Sequence, residues 1–424
     1  MMPPSGASSL LSGVRIDGTT KGFPDLPEPV PIDEIPDRGW TADDLAPPNL
    51  VLRRSALEHN VRLMTRFSAD RGVELAPHGK LSMAPQLWWM QLEAGAWGIS
   101  AAGAGQARVM RAAGVPRILI ANELADTASV EWVASEHASG DAEIVCQVDS
   151  DRALELLDEA VRASGAERAL PVLVELGHVG GRAGCRDVPS ARALAGRIVG
   201  SGALRLAGAT GYEGTLAKDR SAPSLDRVRR FLDDIRALAD ELLEAHAFAD
   251  PPLVSAGGSM FFDLAVEHLS RGRSDDGVRV LIRPGGTLTH DHGMYEATSP
   301  FASRPHEERL RPAIEAWGTV LSTPEPGLAI LGLGRRDVPF DQGFPLPLCI
   351  RRPGGSVSPI EGRARISALD DQHAYCRFEA DAVIGVGDVV RCGISHPCTA
   401  LDKWRVIPVL DDEDRVVDAF ATFF

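Results

Sequence analysis

Positive charge is in the minority in this chain: 44 Lys and Arg stand against 59 Asp and Glu, a formal net charge of −15. Such a balance disfavours nucleic acid and anionic membranes as partners, and any phosphate it binds needs a local site. No apolar run reaches the ~18 residues of a membrane span, and the N-terminus lacks a basic region followed by an apolar core. The expectation is a soluble, cytoplasmic protein. Cysteine is sparse as well. Cys146, Cys185, Cys349, Cys376, Cys392 and Cys398 are scattered with no Cys-x-x-Cys pair, which suits reduced thiols better than a disulfide framework. Neither a dinucleotide fingerprint nor a Walker-type phosphate loop is present, and there are no internal repeats.

What is present is rhythm. With 424 residues the chain is long enough for two domains, one of them a barrel of about 250 residues. Residues 1–45 are rich in Gly, Pro, Ser and Asp without periodicity and are assigned no fold of their own. Order is expected from Asn49-Leu50-Val51-Leu52, then a helix over residues 55–70. Short apolar strands follow at residues 73–76, 97–101, 118–121, 144–148, 171–176, 206–210, 253–255 and 278–282. Helices lie between them, opened by Ser82, Asp126 and Ser150. Continuously apolar strands alternating with helices suit a parallel sheet buried on both faces, and eight units close a barrel; an open doubly wound sheet is the rival. After Ile282 the pattern turns to β, with strands over 318–322, 328–332, 364–369, 373–378, 389–393 and 405–409. The fold class expected is α/β: a (β/α)8 TIM-like barrel over residues 51–300, then a β domain over 301–424. Residues 1–50 supply an extension and the first strand of the β domain.

In a parallel barrel the strand ends gather at one mouth. Val73-Glu74-Leu75-Ala76 ends in Pro77-His78-Gly79-Lys80, which sets a lysine at that mouth. A lysine in a partly dry pocket loses its proton readily and can form a Schiff base with a carbonyl. By itself the stretch fits a surface lysine in a turn as well. After the fifth strand comes a loop holding Arg182, after the sixth Tyr212-Glu213-Gly214, after the seventh Ser255-Ala256-Gly257-Gly258-Ser259, and after the eighth Arg283-Pro284-Gly285-Gly286. The seventh-strand loop runs into a helix, so free N–H groups and a hydroxyl can converge on an anion, although a tight turn with a Ser cap reads the same way. A lysine together with a phosphate site points to pyridoxal 5'-phosphate. In the β domain, Ser395-His396-Pro397-Cys398 puts His396 and Cys398 on one face of an extended segment. Imidazole with thiolate favours zinc over magnesium or calcium, with manganese or cobalt as alternatives; a turn with an incidental His and Cys has the same spacing.

The motifs Ala76-Pro77-His78-Gly79-Lys80, Gly95-Ala96-Trp97-Gly98-Ile99, Ala121-Asn122-Glu123-Leu124, Thr289-His290-Asp291-His292-Gly293-Met294-Tyr295 and Gly393-Ile394-Ser395-His396-Pro397-Cys398-Thr399 occur in this order. Together they resemble the bacterial amino acid deaminase branch of the D-serine dehydratase/D-threonine aldolase family, pyridoxal-phosphate enzymes of alanine-racemase-like fold. The resemblance implies Lys80 as Schiff-base lysine and base at Cα, with His78 as a positioning residue. Tyr212 would lie near the pyridine ring, with Ser255, Gly257, Gly258 and Ser259 near the phosphate. Arg182 matches a mouth arginine, and His396 with Cys398 matches the metal pair. Two departures stand out: Leu81-Ser82 follows the lysine where Thr is usual, and Ala400 follows Thr399. The activity implied is a metal-dependent dehydratase of D-3-hydroxyamino acids such as D-serine or D-threonine. Retro-aldol cleavage is the alternative, and a non-catalytic pyridoxal-phosphate carrier a third reading. A homodimer is implied by the resemblance alone. His290 and Asp291 fit either a supporting role near the site or a purely structural one.

Overall fold

The computed structural model describes residues 9–271, 277–379 and 382–424. They form two compact units, one of residues 64–80 and 88–285, the other of residues up to 63, 81–87 and 286–424.

The first unit is the expected barrel. Its strands, labelled β1 to β8, are Glu74–Leu75, Ile99–Ala101, Arg117–Glu123, Glu143–Val148, Leu170–Leu176, Leu204–Gly211, Leu253–Ala256 and Arg279–Ile282. All paired neighbours are parallel, in the order β1-β8-β7-β6-β5-β4-β3-β2. The ring closes between β1 and β2, where Trp97 N donates to Leu75 O (2.7 Å) and Ser100 N to Pro77 O (2.9 Å). The open-sheet alternative is thereby set aside. Ala76, Leu119, Val145, Leu173, Leu253 and Leu281 pack together inside as an apolar cluster, the layered filling that makes such a barrel a core and not a pore.

The helices start where side chains can satisfy their first N–H groups. Asp126 accepts from Ser129 N ahead of Thr127–Ser139, and Ser150 accepts from Ala153 N ahead of Asp151–Ser164. At Ser82 the structure differs from the sequence expectation. The helix there is Pro85–Glu93, opened by Pro85, whose missing N–H costs nothing at that position. Residues Gly79–Leu81 form one separate 3-10 turn.

The second unit is an antiparallel β assembly around the long strand Ile314–Glu325. It pairs with Leu328–Leu331, Val389–Gly393 and, far back in the chain, Asn49–Arg53. Three strands went unread in the sequence: Leu346–Arg351, Val357–Pro359 and Val416–Ala421. Prolines in the first two masked their alternation. The described part of residues 1–45 is also ordered, contrary to expectation. Arg15–Ile16 pairs with Val30–Pro31, and Ile16, Phe23, Val30, Ile32 and Ile35 share a core with Trp317, Val406, Leu410 and Val416. These apolar residues anchor one at a time from irregular backbone, so no period announces them. Among the described residues no helix is long and apolar enough to cross a membrane.

Candidate active site

The mouth of the barrel begins at β1. Beyond Leu75 the chain stays extended as far as His78, which forms a parallel bridge to Ser100, and then turns through Gly79–Leu81. Gly79 is fixed by close approach: a Cβ there would sit 2.6 Å from Met110 Cε and 2.7 Å from both Ile99 Cγ2 and Trp88 Nε1. Trp88 Nε1 donates to Gly79 O at 3.2 Å, and Lys80 follows directly, half-buried. Burial, reinforced by the Lys80, Arg283 and Arg182 charges, holds the His78 imidazole neutral by lowering its pKa well below the usual value. Its Nδ1 is buried without a partner.

Above the apolar filling lies a polar layer that the sequence reading did not assemble. Arg283, at the end of β8, donates to Thr210 Oγ1 (2.8 Å), Ser255 Oγ (2.5 Å) and Gly211 O (2.9 Å). Gln147 reaches Thr210 Oγ1 at 3.2 Å. Ser255 Oγ also donates to Leu281 O at 2.8 Å, so this hydroxyl is engaged inside the layer. Burial lowers the Arg283 pKa, with Glu213, Glu175 and Tyr212 working against that shift. The sequence named only the loop holding Arg283; an arginine ending an apolar strand is the signal that could have found it.

Gly257 and Gly258 do hold an anion, and it comes from the chain itself. The fully buried Glu213 carboxylate accepts from Gly257 N at 3.1 Å and from Gly258 N at 2.6 Å. The φ of +92° at Gly257, a left-handed value that favours glycine, gives the loop this shape. These two N–H groups are thus engaged inside the chain and are not the free donors expected from the sequence, because Glu213 follows β6 and the fold sets it beside the loop. Glu213 was passed over in the sequence because its partners lie more than 40 residues away. Tyr212 borders the same loop, and the exposed Arg182 stacks over its ring at 4.6 Å. Ser259 closes the loop ahead of helix Phe262–Leu269. The barrel unit therefore gathers His78, Lys80, Arg182, Tyr212, Ser255, Gly257, Gly258 and Ser259 at its strand ends.

Two more carboxylates stand in this mouth. Glu123 ends β3 and Glu175 lies near the end of β5, and both Glu123 carboxyl oxygens and Glu175 Oε2 are buried without a hydrogen-bond partner among the described residues. Burial pushes both pKa values up, with Glu175 and Asp149 adding to the effect on Glu123.

His396 and Cys398 lie in the β unit, hydrogen-bonded to each other. His396 Nδ1 meets Asp341 Oδ2 at 2.8 Å, and Thr399 Oγ1 donates to the other Asp341 oxygen at 3.3 Å. The Tyr295 ring packs edge-on against His396 with centroids 5.5 Å apart, and its hydroxyl lies 3.7 Å from Cys398 Sγ. A carboxylate on one ring nitrogen is how metal-binding imidazoles are commonly oriented. The nitrogen–sulfur donor pair fits zinc chemistry, although among the described residues no group of three or more His, Cys, Asp or Glu is placed to hold a metal. Burial works against charge on His396, but Cys398 and Asp341 raise its pKa to about 9. Asp341 stands 55 residues from His396, beyond the reach of any local motif.

Asp291 accepts from Gly293 N (2.7 Å) and Tyr295 N (3.0 Å) and so shapes the start of helix Met294–Thr298. His290 bonds Glu296 at 2.9 Å. Both residues act here as local scaffold for the segment that carries Tyr295.

A closed parallel barrel with a lysine and an anion-holding glycine loop at its mouth, joined in sequence to a β unit, defines the class. Residues 313–410 match the family model described as "Putative serine dehydratase domain". A D-threonine aldolase from an Arthrobacter species is 28% identical over 353 residues, 82% of this chain and 85% of that protein. Among solved structures, D-threonine aldolase from Filomicrobium marinum aligns with a TM-score of 0.75 at 24% identity, covering 91% of this chain and 97% of that one. D-threo-3-hydroxyaspartate dehydratase from Delftia sp. HT23 aligns with a TM-score of 0.73 at 22% identity, covering 90% and 99%. The chain is thus similar to D-threonine aldolases and D-threo-3-hydroxyaspartate dehydratases over most of its length, carries the serine dehydratase domain match in its β unit, and has an alanine-racemase-like fold.

Proposed function

We propose that this protein is a pyridoxal-phosphate- and metal-dependent lyase of D-3-hydroxyamino acids, acting as a dehydratase that yields a keto acid and ammonia. The observation that carries the reading is the Gly79–Leu81 turn. It presents Lys80 at the end of β1 beside a neutral His78, at the same mouth as the glycine-rich loop Gly257-Gly258-Ser259. Pyridoxal phosphate, when bound, supplies an electron sink for negative charge at the substrate Cα. Lys80 would carry it and would take the Cα proton on its ε-amine. His78, kept neutral, orients groups beside Lys80 without adding charge. Ser259 is the candidate phosphate contact, joined by Gly257 and Gly258 once Glu213 yields their N–H groups, Ser255 supports the loop through Arg283, and Tyr212 lines the ring's side of it. Arg182, exposed on the Tyr212 ring, is a candidate partner for a carboxylate. His396 and Cys398 would hold the metal, with Asp341 fixing the imidazole. A metal there supplies Lewis acidity toward a hydroxyl leaving group.

Retro-aldol cleavage to glycine and an aldehyde is the second reading, favoured by the name of the Arthrobacter relative. Incubation with D-serine, D-threonine and D-threo-3-hydroxyaspartate, with and without a chelator, separates the two. A chelator-sensitive keto acid supports the dehydratase, glycine plus aldehyde supports the aldolase, and no product from any of them contradicts both. A homodimer is part of the proposal and is read by light scattering on the purified chain.

A further inference from the structure

We propose that Lys21, in the N-terminal extension, is a positioning residue that holds together the two loops of the β unit from which His396 and Cys398 would bind a metal. The inference rests on the reading of those two side chains as a metal pair. All the residues concerned belong to one compact unit, so the contacts are internal to it. It begins with a buried charge. Asp337 is 0% exposed, yet it carries a carboxylate. Its Oδ2 accepts from Gly334 N at 2.8 Å and from Gln372 Nε2 at 3.3 Å. Its Oδ1 has no hydrogen-bond partner among the described residues, and Lys21 Nζ stands 2.5 Å from it as an ion-pair partner. A carboxylate sealed from water is costly unless a counter-charge offsets it, so the fold gains by drawing Lys21 to this point.

The same ammonium touches both loops. It lies 3.7 Å from the centre of the Trp404 ring, inside the ~6 Å range of a cation–π contact, and donates to Arg336 O at 3.3 Å. Trp404 Nε1 in turn donates to Asp337 O at 3.0 Å, so ring, ammonium and carboxylate close on one another. Trp404 ends the 3-10 turn Leu401–Lys403 that follows Cys398. The loop that holds Asp337 runs on to Asp341, whose Oδ2 meets His396 Nδ1 at 2.8 Å. One side of the clip thus bears on the carboxylate that orients the imidazole. The other bears on the segment that carries both imidazole and thiol.

The extension is shaped to deliver this lysine. Asp17 Oδ1 accepts from Thr19 N at 2.8 Å and Phe23 N donates to Thr20 O at 3.2 Å, which fixes turns on either side of Lys21. Ile16, Phe23 and Ile35 root the same segment in the core of the β unit. Anchorage is therefore already supplied by apolar residues. The ion pair adds a link between the Asp341 loop and the Cys398 loop that burial of the extension does not need.

Zinc affinity of the full chain loaded with pyridoxal phosphate, measured by competition with a chromophoric chelator well below the thermal midpoint, tests this. Lys21→Met keeps the aliphatic stem and removes the charge. It should raise the zinc Kd about tenfold, the lower end of what is lost when groups that orient metal ligands are removed. Lys21→Arg returns a cation able to pair with Asp337 and stack on Trp404, and should restore most of the affinity. Hydrogen exchange should quicken over residues 334–341 and 396–404 in Lys21→Met. Lys21→Gln is the second variant should the first fail to fold. Ile35→Val trims the core under the same extension and should leave the zinc Kd unchanged. An unchanged Kd in Lys21→Met, or an equal loss in Ile35→Val, overturns the positioning role. If the native chain takes up no zinc, cobalt or manganese, the metal reading fails. Exchange then decides by itself whether Lys21 joins the two loops, and unaltered rates in both segments overturn the clip.

Discussion

Lys80 is one of several lysines in the chain, and its distinction lies in what its neighbours do. Gly79 lets the turn sit against Met110, Ile99 and Trp88, and His78 stays uncharged beside it. The Glu213 carboxylate does comparable work across the mouth, tying down Gly257 N and Gly258 N. Glu213→Ala removes the acceptor of two buried N–H groups, one of them held at 2.6 Å. It should lower the unfolding free energy by about 2–4 kcal/mol in urea titrations, since hydrogen bonds to charged groups contribute ~1.5–3 kcal/mol each and the orphaned donors are themselves costly. An unchanged midpoint would show that water or a neighbour replaces the carboxylate. In the β unit, Cys398→Ala should abolish bound zinc, read by elemental analysis, while pyridoxal phosphate still loads. Full zinc stoichiometry in that variant would move the metal elsewhere.

At the scale of elements, the turn between β1 and helix Pro85–Glu93 leaves no room for a side chain at Gly79. Gly79→Ala should cost about 1–3 kcal/mol by overpacking and lower the thermal midpoint, because Ile99 and Trp88 are themselves buried and have nowhere to move. The barrel strands were legible because each is a short, uninterrupted apolar run with a polar turn after it; the observed Leu253–Ala256 differs from the expected 253–255 by one residue. The β unit was less legible. Leu346–Arg351 carries Pro347 within the strand, and Val357–Pro359 is three residues long, below any periodic signal. Within the site, Lys80, His396 and Cys398 could be singled out because their chemistry lies in local motifs. Asp341, Glu213 and Arg283 escaped because their partners are distant in sequence. An ordinary Asp, Glu or Arg acquires meaning only when the fold sets it beside its target.

For the molecule as a whole, two pairs of carboxyl groups, one in each unit, carry opposite pH dependences. In the β unit, burial pushes the Glu315 pKa up, but Arg53, Trp317 and Arg391 outweigh it, and Arg391 with Arg53 does the same for Asp414; both carboxyls end below their ordinary values. A depressed folded pKa gives stability that is complete above the unfolded values of 4.5 and 3.8 and is lost as pH falls through the folded ones. For Glu123 and Glu175 in the barrel the sign reverses. Glu123 and Glu175 keep a proton that the unfolded chain releases near its ordinary value of 4.5, so their contribution weakens as pH rises above that point. Thermal midpoints recorded across pH should therefore fall at the acid end as Glu315 and Asp414, together with the similarly lowered Asp158 and His78 of the barrel, take up protons. Glu123→Gln should raise the midpoint on the neutral and alkaline side while leaving the acid limb in place. An acid limb that shifts in Glu123→Gln would contradict this division.

The central claim is that Lys80 carries the cofactor, and borohydride reduction of the pyridoxal-phosphate-loaded protein followed by peptide mass mapping tests it most directly. The account predicts a phosphopyridoxyl group on the peptide containing Lys80, and its loss together with the visible absorbance in Lys80→Ala. Stable modification of a different lysine, or undiminished trapping in Lys80→Ala, would contradict it.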